Sequence, residues 1–365
     1  MLIADIIKVL EELAPPTLQE GYDNAGLITG DAGWECTGII CTLDSTEAVV
    51  NEAIEKKCNL VVAHHPIVFS GLKKLTGTGY VQRTVIRAIR HDIAIYAIHT
   101  NLDNVLEGVN GRIADKLGLT ARRILDPRSG TLRKLVCYSP AASAVQLRDA
   151  LFLAGAGQIG NYDQCSFTQA GTGTFRPLAG AEPFTGKIDQ RSEVDEERIE
   201  VLFPATMEKK VIAAMKAAHP YEEVAFDVLT LGNTHPGIGS GLTGELPEPL
   251  EAESFLALLR EKFGTGVIRH SALTGRPVRK VAVCGGAGSF LIPRALAGGV
   301  DFFITSDLKY HEFFDADGAI VIADIGHFES EQYTTELLQE VLVRKFPTFA
   351  VLKTEVNTNP VRYFK

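Results

Sequence analysis

Two adjacent imidazoles, His64 and His65, follow the apolar run 60–63 and are closed by Pro66 and a glycine-bearing turn. Two further segments carry the pattern His-x-x-x-carboxylate, His99 with Asp103 and His327 with Glu331. Residues four apart share a face where the backbone is helical, so each pair can converge on one point. Polar residues that merely close a strand are the ordinary alternative, but adjacent histidines at a strand end are an unusual way to do that, and imidazole is the commonest metal ligand. Together His64, His65, His99, Asp103, His327 and Glu331 offer more ligands than one tetrahedral zinc takes. They suit two divalent ions sharing a bridging carboxylate and a bridging water or hydroxide, and the donor types fit zinc, iron, manganese or cobalt without choosing among them. Two such ions ~3.5–4 Å apart lower the pKa of bound water toward ~7 and polarise a substrate oxygen, which is the machinery of hydrolysis. A storage, carrier or structural site uses the same ligands. His99 fits either a ligand or a group that orients ligands or moves protons behind them. Asp307 and His311, in the loop 305–312, are expected to face the same cleft, in proton transfer, ligand orientation or plain loop packing.

The elements that must position these residues alternate. Residues 1–14 read as an amphipathic surface helix ended by Pro15-Pro16, and 21–30 as turns. A strand follows at 38–43, a helix at 45–57 capped by Ser45 or Thr46, the strand ending on His64-His65, a helix at 80–91, a strand at 93–98 and a helix at 107–117. This order predicts a parallel sheet covered on both sides, with ligands outside the carboxyl ends of the strands. From residue 131 the pattern changes to a strand at 132–139, a helix at 144–153, a Gly-, Thr- and Phe-rich stretch to 186, a strand at 198–203, a helix at 207–218 and a strand at 225–231. That is the split β-α-β-β-α-β order of ferredoxin-like domains. After a basic linker at 276–280, strands at 281–284, 300–305 and 319–325, with a helix at 293–297, repeat the opening. The expected fold is therefore α/β: two related parallel α/β halves, 1–130 and 233–365, form one core interrupted by an α+β insert at 131–232, with the site between the halves.

Composition excludes some functions. With 365 residues, 45% of them hydrophobic, the chain can build two or three cored domains. A net charge of −9 without a Lys/Arg cluster argues against nucleic-acid binding by phosphate neutralisation, though a local basic pocket for a small anion stays compatible. Six cysteines without a C-x-x-C fit reduced thiols, Cys41 and Cys284 as core residues. Without a signal-like start or an apolar run of membrane-spanning length, a cytoplasmic protein with no membrane contact is expected. The segment CGGAGS (284–289) lacks the lysine of a P-loop and the third glycine of a dinucleotide fold, so a tight turn is expected there rather than an anion nest. Gly155, Gly157 and Gly160 satisfy G-x-G-x-x-G but follow a helix, which rejects a dinucleotide site. His219 precedes Pro220 and reads as a helix-ending turn, and His91, His235 and His270 are isolated.

The segments YDNAGL, VVAHHPIVFSG, IHTNLDN, CGGAGS, ITSDLKYHE and DIGHFESE resemble the Nif-three-like dinuclear metal-centre family, also called GTP cyclohydrolase type 2 homologues, over essentially the whole chain. GAGQIGNYDQCSF and AHPYEE resemble its PII-like or CutA-like insert. The resemblance implies that His64, His65, Asp103, His327 and Glu331 ligate two metals, and that the subunits form a toroidal homohexamer with the sites facing an inner cavity. Ser306 stands where the family usually has glycine. The cyclohydrolase name implies attack of activated water on C8 of a purine and release of formate. A triphosphate would need cations, for which Lys73, Lys74, Arg83 and Lys309 are the nearby candidates. A metal-dependent hydrolase of a nucleotide or related small molecule is the first expectation. A metal-trafficking or regulatory hexamer, or a scaffold with structural metals, is the alternative.

Overall fold

The apolar runs that end on the candidate residues become the central strands of two sheets. The computed structural model describes residues 1–364, in two compact units, 1–127 with 236 onward, and 128–235. The first unit opens with α1 (Ile3–Leu13), β1 (Gly26–Thr29), β2 (Ile39–Asp44), α2 (Glu47–Glu55), β3 (Leu60–His65), α3 (Tyr80–Arg90), β4 (Ala94–Ala97), α4 (Thr100–Asp103), α5 (Val109–Leu117) and β5 (Thr120–Pro127). The second unit holds β6 (Leu132–Pro140), α6 (Ala144–Leu153), β7 (Ser166–Phe175), β8 (Ser192–Pro204), α7 (Glu208–Ala218) and β9 (Phe226–Thr230). The first unit then resumes with β10 (Gly239–Leu250), α8 (Ala252–Phe263), β11 (Arg269–His270), β12 (Val278–Ala287), α9 (Ile292–Ala297), β13 (Phe302–Ser306), β14 (Val321–Asp324), α10 (His327–Glu331), α11 (Thr334–Lys345) and β15 (Val351–Lys353).

Two trios of parallel strands, β2-β3-β4 and β12-β13-β14, carry the first unit. The sheets around them are mixed rather than wholly parallel. Their orders are β1-β4-β3-β2-β15 and β11-β14-β13-β12-β10-β5, with β1, β5, β10 and β11 running antiparallel to their neighbours. The β5–β10 pair has a topological cause. Pro127 lies opposite Gly239, so pairing brings together the points where the chain leaves and rejoins this unit. Residues 278–280, expected as linker, already belong to β12 and pair with β10.

Side chains on successive strand positions point to opposite faces, and the trio strands are apolar on both, as covered parallel strands must be. Cys41, Val62 and Tyr96 of one sheet share a core with Val283, Phe302 and Ile304 of the other, filled by Ile113, Phe255 and Leu338 from α5, α8 and α11. The alternate positions, Ile40, Val61 and Ile95 or Ala282, Phe303 and Ile322, pack into separate clusters on the outer faces. Thr46 accepts a hydrogen bond from the Val49 amide at 3.3 Å and so caps α2. Phe302 is fully buried, edge-on to Phe255 with ring centroids 4.9 Å apart. Phe302→Ala is expected to cost about 3–5 kcal/mol, read as a lower urea midpoint at unchanged slope.

The second unit is an antiparallel sheet of order β7-β8-β6-β9. Its core joins Leu147 and Leu151 of α6 and Val211 and Met215 of α7 to Leu135, Ile199 and Phe203. β7 falls inside the Gly- and Thr-rich stretch. Being largely exposed along its length, it carries no alternating pattern to announce it. No helix among the described residues is long and apolar enough to cross a membrane.

Candidate metal centre

Each parallel trio delivers its polar residues at its carboxyl end. β3 stops on His64 and His65; β4 runs into His99 and α4, which ends on Asp103; β14 runs into α10, which spans His327 to Glu331. The ends converge. His327 Nε2 and His65 Nε2 lie 3.0 and 2.9 Å from Glu331 Oε2 and 3.4 Å from each other. His64 Nε2 lies 3.8 Å from the other oxygen, Oε1, and 3.7 Å from Asp103 Oδ1. Glu331, 3% exposed, thus turns one oxygen to each of two trios, His64 with Asp103 and His65 with His327. The His99 ring sits 5.3 and 5.4 Å from those of His64 and His65, and the donors of these three also cluster.

Every imidazole is held from behind. His64 donates from Nδ1 to the Ile98 carbonyl at 2.8 Å, His65 to Asp44 at 2.8 Å, His99 to Asp23 at 2.7 Å and His327 to Asp307 at 2.6 Å. Fixing Nδ1 as the donor leaves Nε2 directed at the cluster, the arrangement that orients metal-bound histidine and raises its basicity. The backing carboxylates are themselves anchored. Asp44 accepts from Thr358 at 2.6 Å, and Asp23 from both the amide and hydroxyl of Thr100. Burial would raise the Asp23 carboxyl, but the hydrogen bonds from His99 and Thr100 outweigh it and bring it down to about 2. Asp44→Asn is expected to weaken divalent-metal affinity roughly 10- to 100-fold with the circular-dichroism spectrum unchanged, measured by competition with a chromophoric chelator.

The donors fit a cation. His64 Nε2 and Asp103 Oδ1 are buried without a hydrogen-bond partner, and with Nδ1 carrying the His64 proton both are acceptors, a costly pairing of neighbours unless a cation lies between them. Ligand bonds of about 2.0–2.2 Å in a tetrahedral site separate ligand atoms by about 3.4 Å, close to the 3.7 and 3.8 Å around His64 and the 3.4 Å between the imidazoles of His65 and His327, whose 2.9 and 3.0 Å contacts to Glu331 are hydrogen bonds. With protein groups alone around them, the second trio is held by protons. Burial pulls His65 and His327 down, yet Asp44, Asp307 and Glu331 hold them up at about 10 and about 11. Burial, then the Glu331 charge, pushes Asp103 up to about 7. Burial also works to raise Glu331, but the imidazoles, His327 first, hold it well below the usual carboxylate range.

Two glycines make room for Glu331. A Cβ on Gly286, at φ +64°, would meet Glu331 Oε1, and one on Gly285 would press on Val109 and the Glu331 stem at 2.7 and 3.3 Å. The CGGAGS segment is therefore the end of β12 closing on the ligand carboxylate, with its Gly285 and Gly286 amides bound to Asn110 Oδ1 and Ser330 Oγ.

Asp307 stands behind His327, at a positive φ of 56°, while His311 is exposed on a 3₁₀ turn, stacked on Phe314 and outside the cavities that reach the cluster. Lys73, Lys74, Arg83 and Lys309 line neither cavity. Arg83 is drawn away to Glu47 at 2.8 Å. His219 uses both ring nitrogens, donating to the Tyr138 carbonyl and accepting the Tyr221 amide, as a helix-ending turn does. Asp44 and Asp23 are absent from the sequence-derived set. Asp44 was nonetheless reachable, since parallel alignment of the two strand ends sets it opposite His65.

The cluster floors a cleft of about 620 Å³ whose walls include Tyr22, Phe69 and Phe290. A second cavity, about 520 Å³, reaches His65 and His327 beside Arg269 and Asp324.

Known proteins share this chain end to end. A "GTP cyclohydrolase 1 type 2 homolog" of Bacillus subtilis is 36% identical over 368 residues, covering 98% of this chain and 97% of that one. A protein of the same name from Halalkalibacterium halodurans is 38% identical, covering 98% of each. The crystal structure of a Bacillus cereus protein related to NIF3 superposes with a TM-score of 0.87 at 36% identity, covering 100% of this chain and 99% of its own. The Duf34/NIF3 (NGG1p interacting factor 3) sequence profile matches residues 1–360, and the chain belongs to that family.

Proposed function

We propose that the chain holds two divalent ions, one between His64, Asp103 and Glu331 Oε1 and the other between His65, His327 and Glu331 Oε2, and that this centre hydrolyses a nucleotide or a related small molecule. The observation that carries this is the buried Glu331 carboxylate, with one oxygen turned to each trio. Three protein ligands per ion match catalytic rather than closed structural sites, which use four. Zinc, iron, manganese and cobalt all suit the imidazole and carboxylate donors. When bound, the ions supply Lewis-acid polarisation of a substrate oxygen and activation of water for hydrolysis. His99 lines the cleft with Nδ1 tied to Asp23, so its Nε2 is the chain's own group for taking up a proton there. Asp307 acts through His327, fixing its ring. His311 takes no part.

The names of the curated relatives support purine ring opening with formate release as the first reaction to try. Family resemblance supports a toroidal homohexamer and a PII-like insert. The matching parallel trios support two related halves. Six cysteines, all free, support residence in the reducing cytoplasm. The test combines metal content with turnover of a panel of nucleotides, nucleosides and bases, on protein purified without chelator and on His99→Ala. About two ions per chain and a hydrolytic activity lost in His99→Ala support the proposal. Two ions with no turnover of any member would replace it with metal handling.

A further inference from the structure

The cleft over the cluster has an aromatic wall that carries, among the described residues, no lysine or arginine. Tyr22, Phe69 and Phe290 line it while remaining 67%, 52% and 61% exposed. Tyr22 and Phe69 have ring centroids 6.3 Å apart, and Phe69 continues edge-on to His99 at 6.2 Å, so the wall runs from solvent to the cluster. Exposed aromatic rings leading to a polar floor are a stacking surface for a planar molecule. Among the described residues no lysine or arginine lines this cleft, whereas the Glu20, Asp103 and Glu331 carboxylates do.

The amide donors nearest the floor are already used. Asn104 Nδ2 donates to Leu18 and Glu20, and its oxygen accepts from Ser240. Asn110 Nδ2 donates to the Asp103 carbonyl, and the Gly285 and Gly286 amides are bound within the protein. The ions add little beyond the floor. The three carboxylates that line the cleft, Glu20, Asp103 and Glu331, offset most of the four positive charges of two divalent ions, and what is left sits at the ligands rather than along the walls. Arg269, which lines the second cavity, is neutralised by Asp324. A triphosphate carries more negative charge than the floor offsets and would find, among the described residues, no lysine or arginine along the walls to balance the rest.

We propose that this cleft selects an uncharged or cationic planar heteroaromatic molecule, of the free-base or nucleoside type, stacked on Tyr22 and Phe69, and discriminates against its triphosphate. This rests on the two-ion centre proposed above and narrows its substrate class. A base–aromatic stack is worth roughly 5- to 150-fold in affinity.

The test is calorimetric titration of zinc-loaded protein with guanosine, adenosine and their triphosphates, with zinc counted in the same samples. A nucleoside is expected to bind at least about tenfold more tightly than its triphosphate, and Tyr22→Ala and Phe69→Ala each to weaken it about fivefold or more with two zinc ions retained. Glu20→Gln is expected to narrow the gap by improving triphosphate binding. Triphosphates binding as tightly as nucleosides, aromatic variants without effect, or no nucleoside binding to doubly loaded protein would each overturn the assignment. The zinc count separates these from failure of the centre itself, which would show as fewer than two ions before any ligand is added.

Discussion

Glu331→Ala is expected to strip both ions from the centre, taking metal content from about two per chain to near zero by elemental mass spectrometry. One carboxylate serves both trios, so a single substitution removes a ligand from each. A four-ligand zinc site is worth roughly 10–16 kcal/mol, or about 2.5–4 per ligand, so each ion loses roughly 10²- to 10³-fold in affinity. The electrostatic consequence points the same way. Glu331 is the anion that His65 and His327 share, and without it two cationic imidazoles face each other 3.4 Å apart with no countercharge between them. Replacement of a peripheral partner should do much less, as argued above for Asp44. A Glu331→Ala protein that kept two ions would show that the trios do not meet at this residue.

Metal binding is expected to release about two to three protons per chain at pH 7, and affinity to fall by about two decades for each unit of pH lowered from about 9 to about 7. The sign follows from the raised values. Before metal binds, His65 and His327, held up at about 10 and about 11, both carry their extra proton at neutral pH. Ligation requires Nε2 free, so the metal competes with those protons and gains as pH rises toward 10. Below about 7, Asp103 adds a third proton to be displaced, which steepens the loss in mild acid. Titrations in buffers of different ionisation enthalpy count the protons directly. A heat signal independent of buffer would contradict the ligand assignment.

The candidate site was legible because it obeys two short-range rules. Apolar strands end where ligands gather, and residues four apart share a helical face; His64, His65, His327 and Glu331 follow from these and meet in the structure. Its supporting residues were less visible. Asp307 was anticipated from its loop and does stand behind His327, whereas Asp23 lies 76 positions from His99 and nothing in the periodicity links the two. The CGGAGS glycines read as a turn from sequence, because the need for space beside Glu331 is a tertiary fact. The parallel trios were legible from their apolar runs, whereas β5, β7 and β10 were not. β7 is exposed, and β10 carries three glycines and two prolines that mask its alternation. The expected wholly parallel sheets failed at these strands, since antiparallel edge pairing depends on where distant chain ends meet.

The most direct measurement is an anomalous-scattering map from crystals of zinc-loaded protein. Two peaks per chain are expected on either side of Glu331, one against His64 and Asp103, the other against His65 and His327. A single peak, or zinc elsewhere with Glu331 uncoordinated, would contradict that arrangement.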